Sequence, residues 1–197
     1  MRLVLKNIMD IAGAFFAILI FSPLFILIPI LIKLDSRGPV FFKQKRCGLG
    51  GREFEMYKFR SMVNDAPVMR EDLSSEVEGS VFKIKKDPRI TRIGRFLRRT
   101  SLDELPQFLC ILKGDMSLVG PRPLADEEMS ADRKWKRMRL TVKPGLTGLW
   151  QVKGRATGKF TDWVRYDEEY VEKGSLFLDI KLLLLTIWTV ITGRGAY

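Results

Sequence analysis

Ile11-Ala12-Gly13-Ala14-Phe15-Phe16-Ala17-Ile18-Leu19-Ile20-Phe21-Ser22-Pro23-Leu24-Phe25-Ile26-Leu27-Ile28-Pro29-Ile30-Leu31-Ile32 is a single apolar run, interrupted near its middle by Ser22-Pro23. Its length suits a helix in a bilayer, which needs roughly 20 residues. It is too long for the apolar part of a signal peptide, and no small-residue cleavage site follows it. The residues leave two arrangements open. One is a single span kinked at the proline. The other is a re-entrant helical hairpin that turns at Ser22-Pro23 and returns to the face it left. Charge favours the hairpin. Arg2 and Lys6 precede the run, and Lys33, Arg37, Lys43, Lys45 and Arg46 follow it, whereas a span is expected to be asymmetric in its basic flanks. Proline also frees a backbone carbonyl, which Ser22 is placed to satisfy within lipid.

The chain of 197 residues is long enough for one domain with a real core. Its formal charge of +11 calls for anionic partners: acidic lipid, phosphorylated small molecules or nucleic acid. Two cysteines, Cys47 and Cys110, supply neither a disulfide framework nor a zinc set, in keeping with a reduced, cytosol-facing globular part. There is no histidine. Histidine bases, histidine metal ligands and Ser-His triads are therefore excluded, and acid–base or nucleophilic work falls to carboxylates, Lys, Tyr, Cys or Ser.

The pattern after the apolar run predicts an α+β fold, mostly helical, with a small β-hairpin. Val40 to Arg46 and Glu53 to Phe59 read as strands around a glycine turn at Gly48 to Gly51. Arg60 to Gly79 is polar, expected to be a mobile loop with a helical piece. Thr91 to Arg99 sets Ile93, Phe96 and Leu97 among four arginines, an amphipathic helix suited to an anionic membrane surface. Asp103 to Lys113 is expected as a helix buried by Leu105, Phe108, Leu109 and Leu112. Asp126 to Leu140 is expected as a charged surface helix, Lys143 to Leu149 as a glycine-rich loop, and Phe160 to Lys173 as another amphipathic helix. Leu176 to Thr192 is helical but interrupted by Asp179, Thr186 and Thr189, so it is expected to lie in the membrane interface with Trp188 as an anchor. These readings divide the chain into a membrane helix at 1–36, a cytosol-facing globular part at 37–174, and an interfacial helix and tail at 175–197.

Ser101-Leu102-Asp103-Glu104-Leu105-Pro106-Gln107 is where the chemistry concentrates: two adjacent carboxylates between the basic run Lys83 to Arg99 and an apolar one. Spacing alone favours a plain explanation, since Ser101-x-x-Glu104 fits a capping box and first-turn acids complement the helix dipole. A second explanation is a phosphate-handling site. Carboxylates with reference pKa values of roughly 4 are ionised at neutral pH unless buried. They can act as nucleophiles toward phosphorus or as ligands to a hard cation, magnesium being the natural one. Gly154 to Phe160 faintly suggests a phosphate-binding P-loop, but its glycine spacing is one residue short and Phe160 stands where Ser or Thr is needed.

Ser101 to Gln107, followed by Leu112-Lys113-Gly114-Asp115-Met116-Ser117-Leu118-Val119-Gly120-Pro121-Arg122-Pro123, resembles the core of the bacterial sugar transferases, the monotopic polyprenyl-phosphate phosphoglycosyl transferases. Tyr57-Lys58-Phe59-Arg60-Ser61-Met62, Lys143 to Gln151 and Arg194-Gly195-Ala196-Tyr197 match in the same order. The resemblance implies transfer of a sugar-1-phosphate from a UDP-sugar to undecaprenyl phosphate with release of UMP, an early membrane step of surface glycan assembly. It implies a bacterial inner-membrane location on the cytoplasmic face and the re-entrant reading of Ser22-Pro23. It also implies catalysis by Asp103 as nucleophile, with Glu104 in support, and a magnesium ion on Asp103. Lys58, Arg98, Arg122 and Asp179 would serve substrate binding. The Thr147 to Gln151 run and the last four residues most resemble members using UDP-galactose or UDP-glucose. Anionic lipid is an expected partner, nucleic acid is not, and a homodimer is open, as is the presence of further N-terminal segments. The competing reading is a membrane-anchored basic module without catalysis, in which Asp103 and Glu104 tolerate alanine.

Overall fold

The computed structural model describes residues 2–69, 84, 87–130, 132–154 and 160–192. The apolar run forms one helix, α1 (Arg2–Asp35), of 34 residues. It is the one described helix long and apolar enough to cross a membrane. It continues through Ser22-Pro23, so the expected hairpin turn is not formed there. The bonding explains why. Pro23 lacks the N–H that would reach Leu19 four residues back, and Ser22 Oγ donates to that Leu19 carbonyl at 2.8 Å instead.

Only one stripe of α1 touches the rest of the protein. Asp10, Ala14, Ile28 and Ile32 are buried at helical spacing, while Ile8, Phe15, Leu19, Ile20, Ile26 and Ile30 face outward. The N-terminal half enters the largest apolar core through Ala14, with Met56, Ile111, Leu118 and Leu182. The C-terminal half enters a second core, where Ile28 and Ile32 meet Phe59, Leu97 and Leu105. Both halves thus rest on the same body.

The expected hairpin is present: β1 (Phe41–Cys47) pairs antiparallel with β2 (Glu53–Phe59), Phe41 opposite Phe59. Gly50 and Gly51 make the turn with φ of 67° and 83°, conformations that suit glycine. Of the polar stretch Arg60 to Gly79, α2 (Ala66–Met69) is the helical piece; from 70 onward the stretch lies outside the described residues, as do 194–197. The amphipathic helix α3 (Arg92–Arg99) is capped by Thr91, which accepts from Gly94 N at 2.9 Å. Asp35, ending α1, accepts from Ile93 N at 3.0 Å and places its negative charge at the start of α3.

The acid stretch folds differently from expectation. Ser101 is left-handed, with φ of 56°, and its side chain caps nothing, so there is no capping box. Leu102–Glu104 form a single tight turn. The helix α4 (Gln107–Leu112) begins only after Pro106, whose fixed φ and missing N–H suit a helix entrance. Its buried face is Gln107, Cys110 and Ile111, while Leu109 and Leu112 are exposed.

Two further corrections concern regions read as loop or surface helix. The Lys143 to Leu149 segment contains a strand, β4 (Gly145–Thr147), parallel to β3 (Ser117–Val119), with Ser117 opposite Gly145 and Val119 opposite Thr147. Asp126 to Leu140 splits into a short turn at Glu127–Met129 and α5 (Arg133–Arg139). That helix is not all surface: Trp135 is buried and donates from Nε1 to Asp167 at 3.0 Å, and Arg139 pairs with the same carboxylate at 3.3 Å. α6 (Phe160–Lys173) and α7 (Leu176–Thr192) match the sequence pattern. α7 exposes Phe177, Ile180, Leu184, Ile187 and Trp188. Its threonines are satisfied locally: Thr186 meets Thr147 Oγ1 at 2.6 Å and Thr189 donates to Leu185 O.

Candidate active site

Three elements converge on the acid turn. β2 delivers Lys58, whose Nζ lies 2.7 Å from Glu104 Oε1. The Gly120-Pro121-Arg122-Pro123 turn after β3 delivers Arg122, whose guanidinium reaches the same oxygen at 3.4 Å. α3 delivers Arg98, held by a bond from its Nε to Ser61 Oγ at 2.8 Å. A glycine makes that approach possible, since a Cβ at Gly94 would collide with the Ser61 backbone. Lys58, Arg98 and Arg122, three of the four residues expected to bind substrate, are therefore gathered around Asp103 and Glu104.

The two acids are held unequally. Glu104 is pinned by Lys58 and Arg122. Asp103 is only 8 % exposed, yet no hydrogen bond among the described residues ties its carboxylate down. Burial pushes its pKa up to about 6; Lys58 opposes the shift, Glu104 next door adds to it, and Arg98 and Arg122 oppose it from further off. Asp103 is thus mostly ionised at neutral pH, desolvated and unencumbered, the state of a carboxylate ready to attack an electrophile. Burial likewise lowers the Arg98 pKa from its ordinary value, with Asp103 the largest opposing influence.

Asp179 does not join this group. It is buried, with Oδ2 2.8 Å from Lys6 Nζ and Oδ1 2.8 Å from the Tyr170 hydroxyl. It bonds α7 to α1, its first-turn position on α7 facing β3 rather than the acid turn. Lys6 correspondingly is less a solvent-facing flank charge than one half of that pair.

Several participants escaped the sequence reading. Ser61 and Gly94 place Arg98; a lone glycine amid bulky helix residues was the available signal. Arg139 Nη2 donates to the Arg122 carbonyl and pins that turn from behind. Among the described residues Gln151 has both amide atoms buried without a hydrogen-bond partner, beside the stacked Trp150 and Trp163 rings. Among the described residues no three His, Cys, Asp or Glu side chains converge as a metal cage. The Asp103–Glu104 pair still fits magnesium, which characteristically takes one or two carboxylates and completes its shell with phosphate and water.

Residues 1–193 match the family described as bacterial sugar transferase. The chain is 39% identical to the exopolysaccharide production protein ExoY of Rhizobium meliloti, across 98% of this chain and 88% of that one. It is 45% identical to the galactosyl transferase CpsE of Streptococcus agalactiae, across 99% of this chain but 44% of that protein. It is 43% identical to an undecaprenyl-phosphate galactose phosphotransferase of Salmonella typhimurium, across 98% of this chain and 42% of the relative. The chain therefore spans less than half of two of these relatives and most of the third.

Proposed function

From the premise that the chain belongs to the bacterial sugar transferase family, we propose that it transfers a hexose-1-phosphate from a UDP-sugar to undecaprenyl phosphate and releases UMP. The observation that supports the mechanism is the asymmetry of the acid pair: Glu104 is clamped by Lys58 and Arg122, while Asp103 is buried with no hydrogen bond to its carboxylate among the described residues. An Asp103 oxygen attacks the phosphorus that bears the sugar. A bond forms from that oxygen to phosphorus, the bond to the bridging oxygen breaks, and UMP leaves with the bridging oxygen. An oxygen of undecaprenyl phosphate then attacks the same phosphorus and displaces Asp103, which returns as a carboxylate. Lys58, Arg98 and Arg122 lie where charge gathers on the transferring phosphoryl group. Glu104 keeps Lys58 and Arg122 in place. Magnesium, held by Asp103 and Glu104, would neutralise diphosphate charge when bound.

The membrane arrangement is part of the proposal. A spanning helix carries its middle and far end away from a globular body, whereas α1 docks at both ends onto one body, through Asp10 and Ala14 and through Ile28 and Ile32. Its outward stripe and the exposed apolar face of α7 suit burial in one leaflet. We infer a monotopic enzyme on the cytoplasmic face, where a polyprenyl acceptor and a cytosolic nucleotide sugar meet.

The test is incubation of the protein with UDP-glucose, UDP-galactose or UDP-N-acetylgalactosamine plus undecaprenyl phosphate and magnesium, scoring UMP. Lipid-linked sugar phosphate is the expected product. Free sugar phosphate would instead show a hydrolase, and no UMP from any donor would overturn the reading. The covalent route further requires that UDP-sugar alone release up to one equivalent of UMP and add a hexose phosphate to Asp103.

A further inference from the structure

β3 is gripped from three helices. From α1, Asp10 Oδ1 accepts from Ser117 Oγ at 3.0 Å and from Leu118 N at 2.9 Å. Also from α1, Lys6 Nζ donates to Val119 O at 3.2 Å while it pairs with Asp179 of α7. From α6, the Tyr170 hydroxyl lies 2.8 Å from both Val119 O and Asp179 Oδ1. Its single proton serves one acceptor at a time, and Lys6 supplies the other.

The segment after β3 is rigid. Gly120 N donates to Thr147 O, and Gly145 N donates to Pro121 O. Added side chains at Gly120, Gly145 or Gly148 would strike the facing backbone, so the two segments interlock with no slack. Pro121 and Pro123 fix φ on either side of Arg122. A shift at Val119 is therefore delivered to Arg122, three residues on, and from there to Glu104.

We propose that Lys6, Tyr170 and Asp179 form a positioning clamp that sets Arg122 on the acid pair, so that the seating of α1 against α7 controls the geometry of the site. This rests on the reading of Asp103, Glu104 and Arg122 as the reacting centre. It also accounts for an acid in α7 that touches no part of the acid turn.

The experiment is a double-mutant cycle in the full chain, with hydrogen exchange alongside. Tyr170→Phe and Asp179→Asn should each lower kcat for UMP release about 10- to 100-fold, the scale of a small misplacement of a catalytic group. In an Arg122→Ala background the same changes should cost no more than about twofold, within ordinary additivity error. Amides of Gly120 and Gly145, which donate to Thr147 O and Pro121 O, should exchange faster in both variants, with the β1–β2 hairpin unchanged. Equal fold-losses in both backgrounds would overturn the clamp, as would full activity in both variants. Tyr170→Phe removes one oxygen only, so it answers for Asp179→Asn should that variant fail to fold. If the wild-type chain releases no UMP, the functional reading has failed. Exchange at Gly120 and Gly145 then decides the clamp alone, faster exchange supporting it and unchanged exchange overturning it.

Discussion

Lys58 Nζ and Glu104 Oε1 lie 2.7 Å apart, the shorter of the two cation contacts described for Glu104, and they tie the hairpin to the acid turn. Removing the ammonium takes away the closer of the two cation contacts described for Glu104, the other being Arg122 at 3.4 Å. Lys58→Met should lower kcat/KM for UMP release by about 10- to 100-fold, matching the roughly 1.5–3 kcal/mol of a hydrogen bond to a charged group. Steady-state kinetics checks this, and an unchanged rate would remove Lys58 from the site.

The pH dependence comes from Asp103. With its pKa raised to about 6, chiefly by burial, the carboxylate is protonated below that value and loses its nucleophilicity. The single-turnover burst of UMP from UDP-sugar alone should fall tenfold per pH unit below about 6 and level off above it. A burst independent of pH between 5 and 7 would mean that Asp103 does not attack.

The same burial has a stability consequence. A carboxyl whose folded pKa lies above its unfolded value of about 3.9 binds more protons when folded, so its contribution falls as pH rises from about 4 to about 6 and stays low above that. Asp103→Asn should therefore abolish turnover while raising stability at pH 7 by about 1–2 kcal/mol. Thermal unfolding measures it, and a lower Tm would contradict the sign. Asp167, pushed up to about 6 by burial against the pull of Arg139 and the Trp135 N–H, adds a second contribution of the same direction.

Topology is open to direct labelling. Cys47 and Cys110 are buried and give little background. Arg2→Cys and Arg37→Cys should both resist a membrane-impermeant thiol reagent in intact cells and both react after lysis. Reaction of one from outside would establish a span.

Replacing Ser22-Pro23 by Ala-Ala restores an N–H to Leu19 and, in a helix already continuous, changes little else. Both ends of α1 should stay on one side, because docking through Ala14 and Ile28 holds them. A flipped terminus would show that the Ser-Pro pair itself sets the topology.

Most of the elements were legible because their patterns are local. The β1–β2 hairpin, α3, α6 and α7 emerged from alternation, helical period and punctuation. The three basic residues around Asp103 were legible only through motif order, since Lys58 and Arg122 come from segments far apart in the chain. Three features were not legible. The tight turn at Leu102–Glu104 depends on Ser101 adopting a left-handed conformation that a serine rarely takes. β4 is three residues long, with a glycine at its start, and pairs with a strand 28 positions away in register. The role of Asp179 is decided by Lys6, which the sequence offers as an ordinary flank charge. For β4 and Asp179 a long-range contact overrode a reasonable local preference.

The single inward stripe of α1 bears on how the protein is made. Ala14 belongs to one core and Ile28 and Ile32 to another, Asp35 completes the start of α3, and Lys6 and Asp10 hold β3. Deleting residues 1–36 would open both cores and strip Asp35 from the start of the helix that carries Arg98, so it would not liberate an intact fragment bearing the acid turn. On the proposed function, seating of the N-terminal helix and assembly of the acid turn would then be one event, and a chain whose α1 stays undocked would lack the ordered acid pair.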